Sequence, residues 1–134
     1  MPVMEWNERF ALGIDQVDSE HRRILDAMND LFDHAQGGAN ASLVLKDLDY
    51  LVRVTTDHFA HEEAYFDSFG YKDAERHKMI HKQLLSKLAS HQQTIIAAQG
   101  QVTKDFFDFL RFWLSAHILG IDKKYADVAK GVAA

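Results

Sequence analysis

The 134-residue chain has no cysteine. Disulfides, thiolate metal sites and cysteine nucleophiles are therefore excluded, and a reducing compartment is compatible with the composition. Proline occurs once, at Pro2, and the seven glycines are sparse, so little interrupts long helical segments. A formal net charge of -5 supplies no basic stripe for a phosphate backbone, and no run of like charge marks an interaction tail. Nucleic acid is not an expected partner. No apolar run reaches membrane-span length, and the opening "MPVMEWNERF" has neither the basic start nor the apolar stretch of a signal peptide. The expectation is a cytoplasmic protein with no membrane partner.

What is present is a globular mixture, 47% apolar and 26% charged, long enough for one hydrophobic core and too short for two ordinary ones. A single domain over residues 1–134 is expected. Eight histidines stand against fifteen lysines plus arginines, and imidazole is the commonest metal-ligand side chain.

Periodicity and punctuation divide the chain into four helices. After an extended N-terminal arm through Gly13, Asp15 or Asp18 can cap a helix with Val17, His21, Ile24, Met28 and Leu31 on one face, closed by Gly37 and Gly38. A second, capped by Asn40 or Ser42, aligns Leu48, Leu51, Thr55, His58, Glu62 and Phe66 until Gly70. A third runs from about Asp73 to Gly100 with His77, His81, Leu84, Leu88 and Ile95 inward. The fourth begins near Thr103 and presents Phe106, Phe109, Leu110, Trp113 and His117. Short links make neighbours antiparallel, so the fold class is all-α, an up-down-up-down four-helix bundle.

Six ionisable residues fall in these inward stripes: His21, His58, Glu62, His77, His81 and His117. Such groups are costly in a core unless bonded or bound to metal. "HKMIH" and "HFAHE" each place two of them one helical turn apart, so both side chains of a pair can reach one point. In "HILGID", Asp122 follows His117 by five positions, a step that turns roughly 140° round a regular helix. Gly120 between them is permissive, and the spacing predicts a π-type turn or a helix end that swings Asp122 inward. These seven candidates exceed the needs of one tetrahedral zinc and suit two metals bridged by carboxylates. Imidazole with carboxylate suits iron, manganese or zinc, and the ligands alone do not choose.

The ordered motifs "GIDQVDSEH", "HFAHEE", "HKMIH" and "HILGID", with the tryptophan-bearing N-terminal arm, resemble the hemerythrin family, specifically its bacterial single-domain type, over nearly the whole chain. The resemblance implies a non-heme di-iron centre with an oxo or hydroxo bridge. His77, His81 and His117 would hold one iron and His21 and His58 the other, with Glu62 and Asp122 bridging. Dioxygen would bind at the open position of the two-histidine iron, beside a pocket of Ile24, Phe59, Trp113 and Ile118. Trp6 and Tyr125 match the family's packed aromatic arm and a tyrosine near the site.

Five neutral imidazoles with two carboxylates place less negative charge on such a pair than carboxylate-rich sites do, which favours reversible binding over oxygen activation. The expected function is that of an oxygen carrier, storage or delivery protein and not an enzyme. The rivals are a di-iron oxidase, peroxidase or nitric-oxide-handling enzyme, and an oxygen or redox sensor on the same scaffold. An oxygen-consuming enzyme is the expected protein partner, and a monomer is favoured over an oligomer. Among the remaining polar residues, His61 reads as a surface histidine more readily than as a group supporting a ligand. His34 complements the dipole at the end of the first helix, His91 has no assigned role, and Glu63 reads as an exposed helix residue. Asp15, Asp18 and Glu20 read as capping and solvating acids, one of which can orient the His21 imidazole.

Overall fold

The computed structural model describes residues 4–131. Helix α1 spans Asp15–Gln36, α2 Ala41–Ser68, α3 Ala74–Ala97 and α4 Lys104–Ala116. The last continues through a π-helical turn, His117–Asp122, into α5, Lys123–Ala129, so that the three segments form the fourth arm of an antiparallel four-helix bundle. The apolar stripes meet in one buried cluster that includes Ile24, Met28, Leu31, Leu48, Leu51 and Leu110, each fully buried side chain contributing about 1.5–3 kcal/mol.

The helix ends have identifiable causes. Asn40 caps α2 by accepting from the Leu43 amide at 2.9 Å. At its far end Gly70 adopts φ 64°, and the Tyr71 amide reaches back to the Phe66 carbonyl at 3.1 Å, the six-to-one bond of a glycine-terminated helix. Gly100 is required twice over: its φ is 89°, and a Cβ there would lie 3.1 Å from the Ala41 backbone. The start of α1 departs from expectation. Neither Asp15 nor Asp18 is the N-cap, a position taken by Ile14 without a side-chain bond. Asp18 instead accepts from the Leu12 and Gly13 amides at 2.8 and 3.2 Å, tying the arm to the first turn.

That arm carries a short 3-10 turn, Glu8–Phe10. It is anchored by a reciprocal pair of bonds between the Met4 backbone and the Asn29 side chain, 3.1 and 2.8 Å. Phe10 and Leu12 are buried, and the Arg22 guanidinium sits 4.6 Å over the Trp6 ring. At the other end of the chain, Lys130 donates to the Leu12 carbonyl. The arm and α5 are thus held together beside the π turn.

Candidate metal centre

Nine polar or charged residues are buried among the described residues: Asp18, Thr55, His21, His58, Glu62, His77, His81, His117 and Asp122. The last seven are the seven candidates from the sequence, and they converge. α1 supplies His21, α2 supplies His58 and Glu62, and α3 supplies His77 and His81. His117 opens the π turn and Asp122 closes it, and Asp122 is wholly buried. The widened turn absorbs the extra residue of "HILGID" that a regular helix would have carried to the outside. Gly120 proves less necessary than expected. Its φ lies outside the left-handed region and a Cβ would meet nothing within 4 Å.

The candidates form two groups that share both carboxylates, one with His77, His81 and His117, the other with His21 and His58. Each carboxylate turns one oxygen to each group. Glu62 Oε1 lies 2.9 Å from His81 Nε2 and 3.4 Å from His77 Nε2, while Oε2 lies 3.4 Å from His58 Nε2. Asp122 Oδ1 lies 2.9 and 3.1 Å from His117 and His77 Nε2, while Oδ2 lies 3.0 Å from His21 Nε2. Two ligand atoms about 2.1 Å from one ion and at right angles to each other are about 3.0 Å apart. The observed separations are therefore those of the edges of a coordination polyhedron.

The hydrogen-bond inventory fits a cation in each group. Both ring nitrogens of His21, Nε2 of His58, Oε1 of Glu62 and both oxygens of Asp122 are buried without a hydrogen-bond partner, although they approach one another closely. His117 Nε2 lies 3.3 Å from His77 Nε2 and 3.2 Å from His81 Nε2, and protons cannot satisfy all three at once. Leaving so many polar atoms unpaired would cost about 1–3 kcal/mol each, which a bound ion removes. Burial disfavours a charged His58, yet its contacts with Glu20 and Glu62 push its pKa up to about 10. His117 rises to about 9 against the same burial through Asp122 and Glu62, and His77 is also raised. Glu62 and Asp122 are both held well below the usual carboxylate range, since the facing imidazoles outweigh their burial. Protons and metal ions compete for the same lone pairs.

Several supporting residues escaped the sequence reading. Glu63, expected to be solvated, bonds His81 Nδ1 at 2.8 Å. Glu20, next to His21 in sequence, instead bonds His58 Nδ1 at 2.7 Å and the exposed His61 Nδ1 at 2.7 Å. Both carboxylates leave the ligand Nε2 free to face inward and raise its basicity. A clue was available, since each acid directly neighbours a ligand residue on the flank of the helix. Tyr125 does more than pack: its hydroxyl donates to Glu62 Oε2 at 2.6 Å. Burial and the adjacent carboxylates push its pKa up, so it remains a donor. Thr55, one turn before Phe59, is buried with Oγ1 unpartnered.

Ile24, Phe59, Trp113 and Ile118 are all buried in the main core. Phe59 stacks on His81 with centroids 3.8 Å apart and planes at 6°, and it lies farther, 5.9 Å, from His58. The other histidines stand apart from the cluster. His34 is paired with Asp47 across the α1–α2 contact, a bond that raises its pKa, and His91 packs 4.8 Å from the Phe109 ring. No helix among the described residues is long and apolar enough to cross a membrane.

Residues 12–129 match the family described as the hemerythrin HHE cation binding domain. The bacteriohemerythrin of Methylococcus capsulatus (strain ATCC 33009 / NCIMB 11132 / Bath) is 35% identical over 126 residues, covering 93% of this chain and 95% of that protein. Myohemerythrin-1 of Phascolopsis gouldii is 32% identical over 120 residues, covering 90% and 89%. A crystal structure of wild-type hemerythrin superposes with a TM-score of 0.84 at 35% identity, covering 92% and 95% of the two chains. A mutant hemerythrin structure gives 0.86 at 34% identity, covering 94% and 96%. With the same bundle, relatives above 30% identity along most of their length and a family match spanning the ligand-bearing helices, the chain belongs to the hemerythrin family.

Proposed function

We propose that this chain is a single-domain, cytoplasmic, non-enzymatic protein that binds dioxygen reversibly at a non-heme di-iron centre, for carriage, storage or delivery to an oxygen-consuming enzyme. The observation that carries this reading is the sharing of Glu62 and Asp122 by unequal groups, three imidazoles on one side and two on the other. In this assignment His77, His81 and His117 would hold one iron and His21 and His58 the second, and the group with fewer imidazoles would be the one to take the ligand. A ferrous pair held by these residues would supply the electrons that reversible dioxygen binding requires.

The chain's own residues perform the remaining tasks. Glu20 and Glu63 hold the Nδ1 protons of His58 and His81, fixing ring orientation and the tautomer that points Nε2 inward. Tyr125 holds Glu62 from the side facing the two-histidine group, limiting its swing. Phe59 packs against His81, His58 and His117 and Trp113 against His117; with Ile24 and Ile118, buried in the same core, this apolar surface would keep water and reductants away from a ligand that must leave unchanged.

The test is anaerobic reconstitution with ferrous iron, followed by cycles of oxygen addition and removal monitored by visible charge-transfer absorption. Two irons per chain and a colour that cycles are expected. Bleaching with consumption of a reductant, peroxide or nitric oxide would make the protein an enzyme, and a mononuclear site without an oxygen response would overturn the assignment.

A further inference from the structure

Each ligand imidazole has a second ring nitrogen, and what that nitrogen meets differs from ring to ring. His58 and His81 hand theirs to Glu20 and Glu63. His77 Nε2 faces Glu62, Asp122 and His117 at 3.1–3.4 Å, while its Nδ1 is buried without a partner. A ligand histidine almost always donates its other N–H to a carboxylate, a carbonyl or a water. For His77 that acceptor has to be found beside the ring, on the side away from the cluster.

A cleft of about 30 Å³ opens between the start of α3 and the end of the π turn, and His77 forms part of its wall with Tyr71, Asp73, Arg76 and Lys124. Side chains on a helix lean toward its N-terminus, so the His77 ring lies over the turn that begins at Asp73, the N-cap four residues earlier. The Asp73 side chain makes no capping bond, and it does not reach His77 directly, since Nδ1 has no partner within hydrogen-bond distance. Burial pushes the pKa of the Tyr71 hydroxyl up, and the charges of Asp73 and Asp122 add to the effect, which sets Asp73 and Tyr71 together on the cleft. The volume suits one small occupant. A water takes up about 30 Å³ and makes about three hydrogen bonds when buried, and the wall offers three groups: the His77 N–H, the Asp73 carboxylate and the Tyr71 hydroxyl. An anion would meet the exposed Arg76 and Lys124, but also the Asp73 carboxylate. We infer that a water seated in this cleft accepts from His77 Nδ1 and donates to Asp73, which makes Asp73 a positioning residue for the three-histidine site. Three ligand rings are then backed by carboxylates, His58 and His81 directly and His77 through one water, a link nearly as favourable in enthalpy as a direct bond. The inference rests on the iron assignment proposed above.

The iron-loaded full chain tests the two readings separately. Fewer than two irons per unaltered chain would overturn the assignment and this inference with it. With two irons bound, a high-resolution crystal structure should show one water about 2.8 Å from both His77 Nδ1 and an Asp73 oxygen. Asp73→Ala should shift the Mössbauer doublet of the three-histidine iron, leave the other doublet in place, and speed extraction of the first iron by a chelator about 10-fold. Asp73→Asn keeps an acceptor oxygen at the same position and should restore most of the slow extraction. A residue that only caps α3 would change helix stability and leave both doublets alone. Two bound irons with unchanged doublets in Asp73→Ala would therefore overturn the inference. So would a direct bond from another residue to His77 Nδ1, or a halide in the cleft, located by anomalous scattering from crystals grown with bromide.

Discussion

The two halves of the candidate metal centre are held by different kinds of contact. On the three-histidine side, His81 is stacked face to face on Phe59 and bonded to Glu63, His77 packs 4.8 Å from Phe66, and His117 lies beside Trp113. On the two-histidine side, His58 depends on Glu20, which is shared with an exposed histidine. Neither ring nitrogen of His21 has a hydrogen-bond partner. One half is locked by aromatic packing and the other is held through a polar link that reaches solvent. His77 Nδ1 on the first side is likewise unpartnered and His21 meets His58 edge-on at 4.6 Å on the second, so the halves differ in what backs the rings, aromatic side chains on one side and a shared carboxylate on the other.

The sharpest way to break this comparison is to remove what the halves share. Asp122→Ala should abolish the paired assembly, reducing iron from two per chain toward none while far-ultraviolet circular dichroism shows the helices retained. Iron analysis decides the matter: one iron remaining tightly bound would show that the three-histidine half stands alone. Stripping the metal from the unaltered protein should come next in size. The buried ligands then lose their cation, and thermal unfolding should reveal a loss of several kcal/mol, since metal binding at a site absent from the unfolded chain is folding energy.

The pH dependence of the stripped protein has a definite sign. His58 and His117 have folded pKa values of about 10 and about 9 against an ordinary 6.5. Their contribution is fully present below 6.5 and disappears as pH rises through 9 to 10. The stripped protein should therefore melt at lower temperature across that window. Metal affinity should rise over the same window, because the competing protons leave. Parallel curves for the two quantities would show that these imidazoles are not the shared binding site.

Smaller effects separate the halves from each other. Glu20→Gln and Glu63→Gln should each weaken iron binding by about 10- to 100-fold, the usual effect of losing a carboxylate behind a ligand histidine. Glu20→Gln should act on the two-histidine iron and Glu63→Gln on the other, resolved by Mössbauer spectroscopy of the two sites. Glu20 also adds an acid limit. Burial pushes its carboxyl up, but the bonds from His58 and His61 outweigh it and bring the pKa to about 2 from an ordinary 4.5. Its contribution is present above 4.5 and is lost as pH falls toward 2. The smallest change is expected at Thr55→Val. It removes a buried unpartnered hydroxyl and should raise stability by about 1 kcal/mol in chemical denaturation; a loss above that size would reveal a partner for Oγ1.

The sequence by itself determined the helices, their stops and the identity of the seven convergent side chains. Those are local properties: the step between His77 and His81 fixes a common face before any packing occurs. The five-residue step from His117 to Asp122, read against that period, even located the π turn. It could not reveal that Asp18 would tie down the arm instead of capping α1, or that Glu20 would cross to His58 and Glu63 to His81. It gave no sign of Tyr125 bonding Glu62. Each of these depends on a side chain at the flank of its helix. What such a residue meets is set by the rotation and separation of neighbouring helices, and only the assembled bundle decides those.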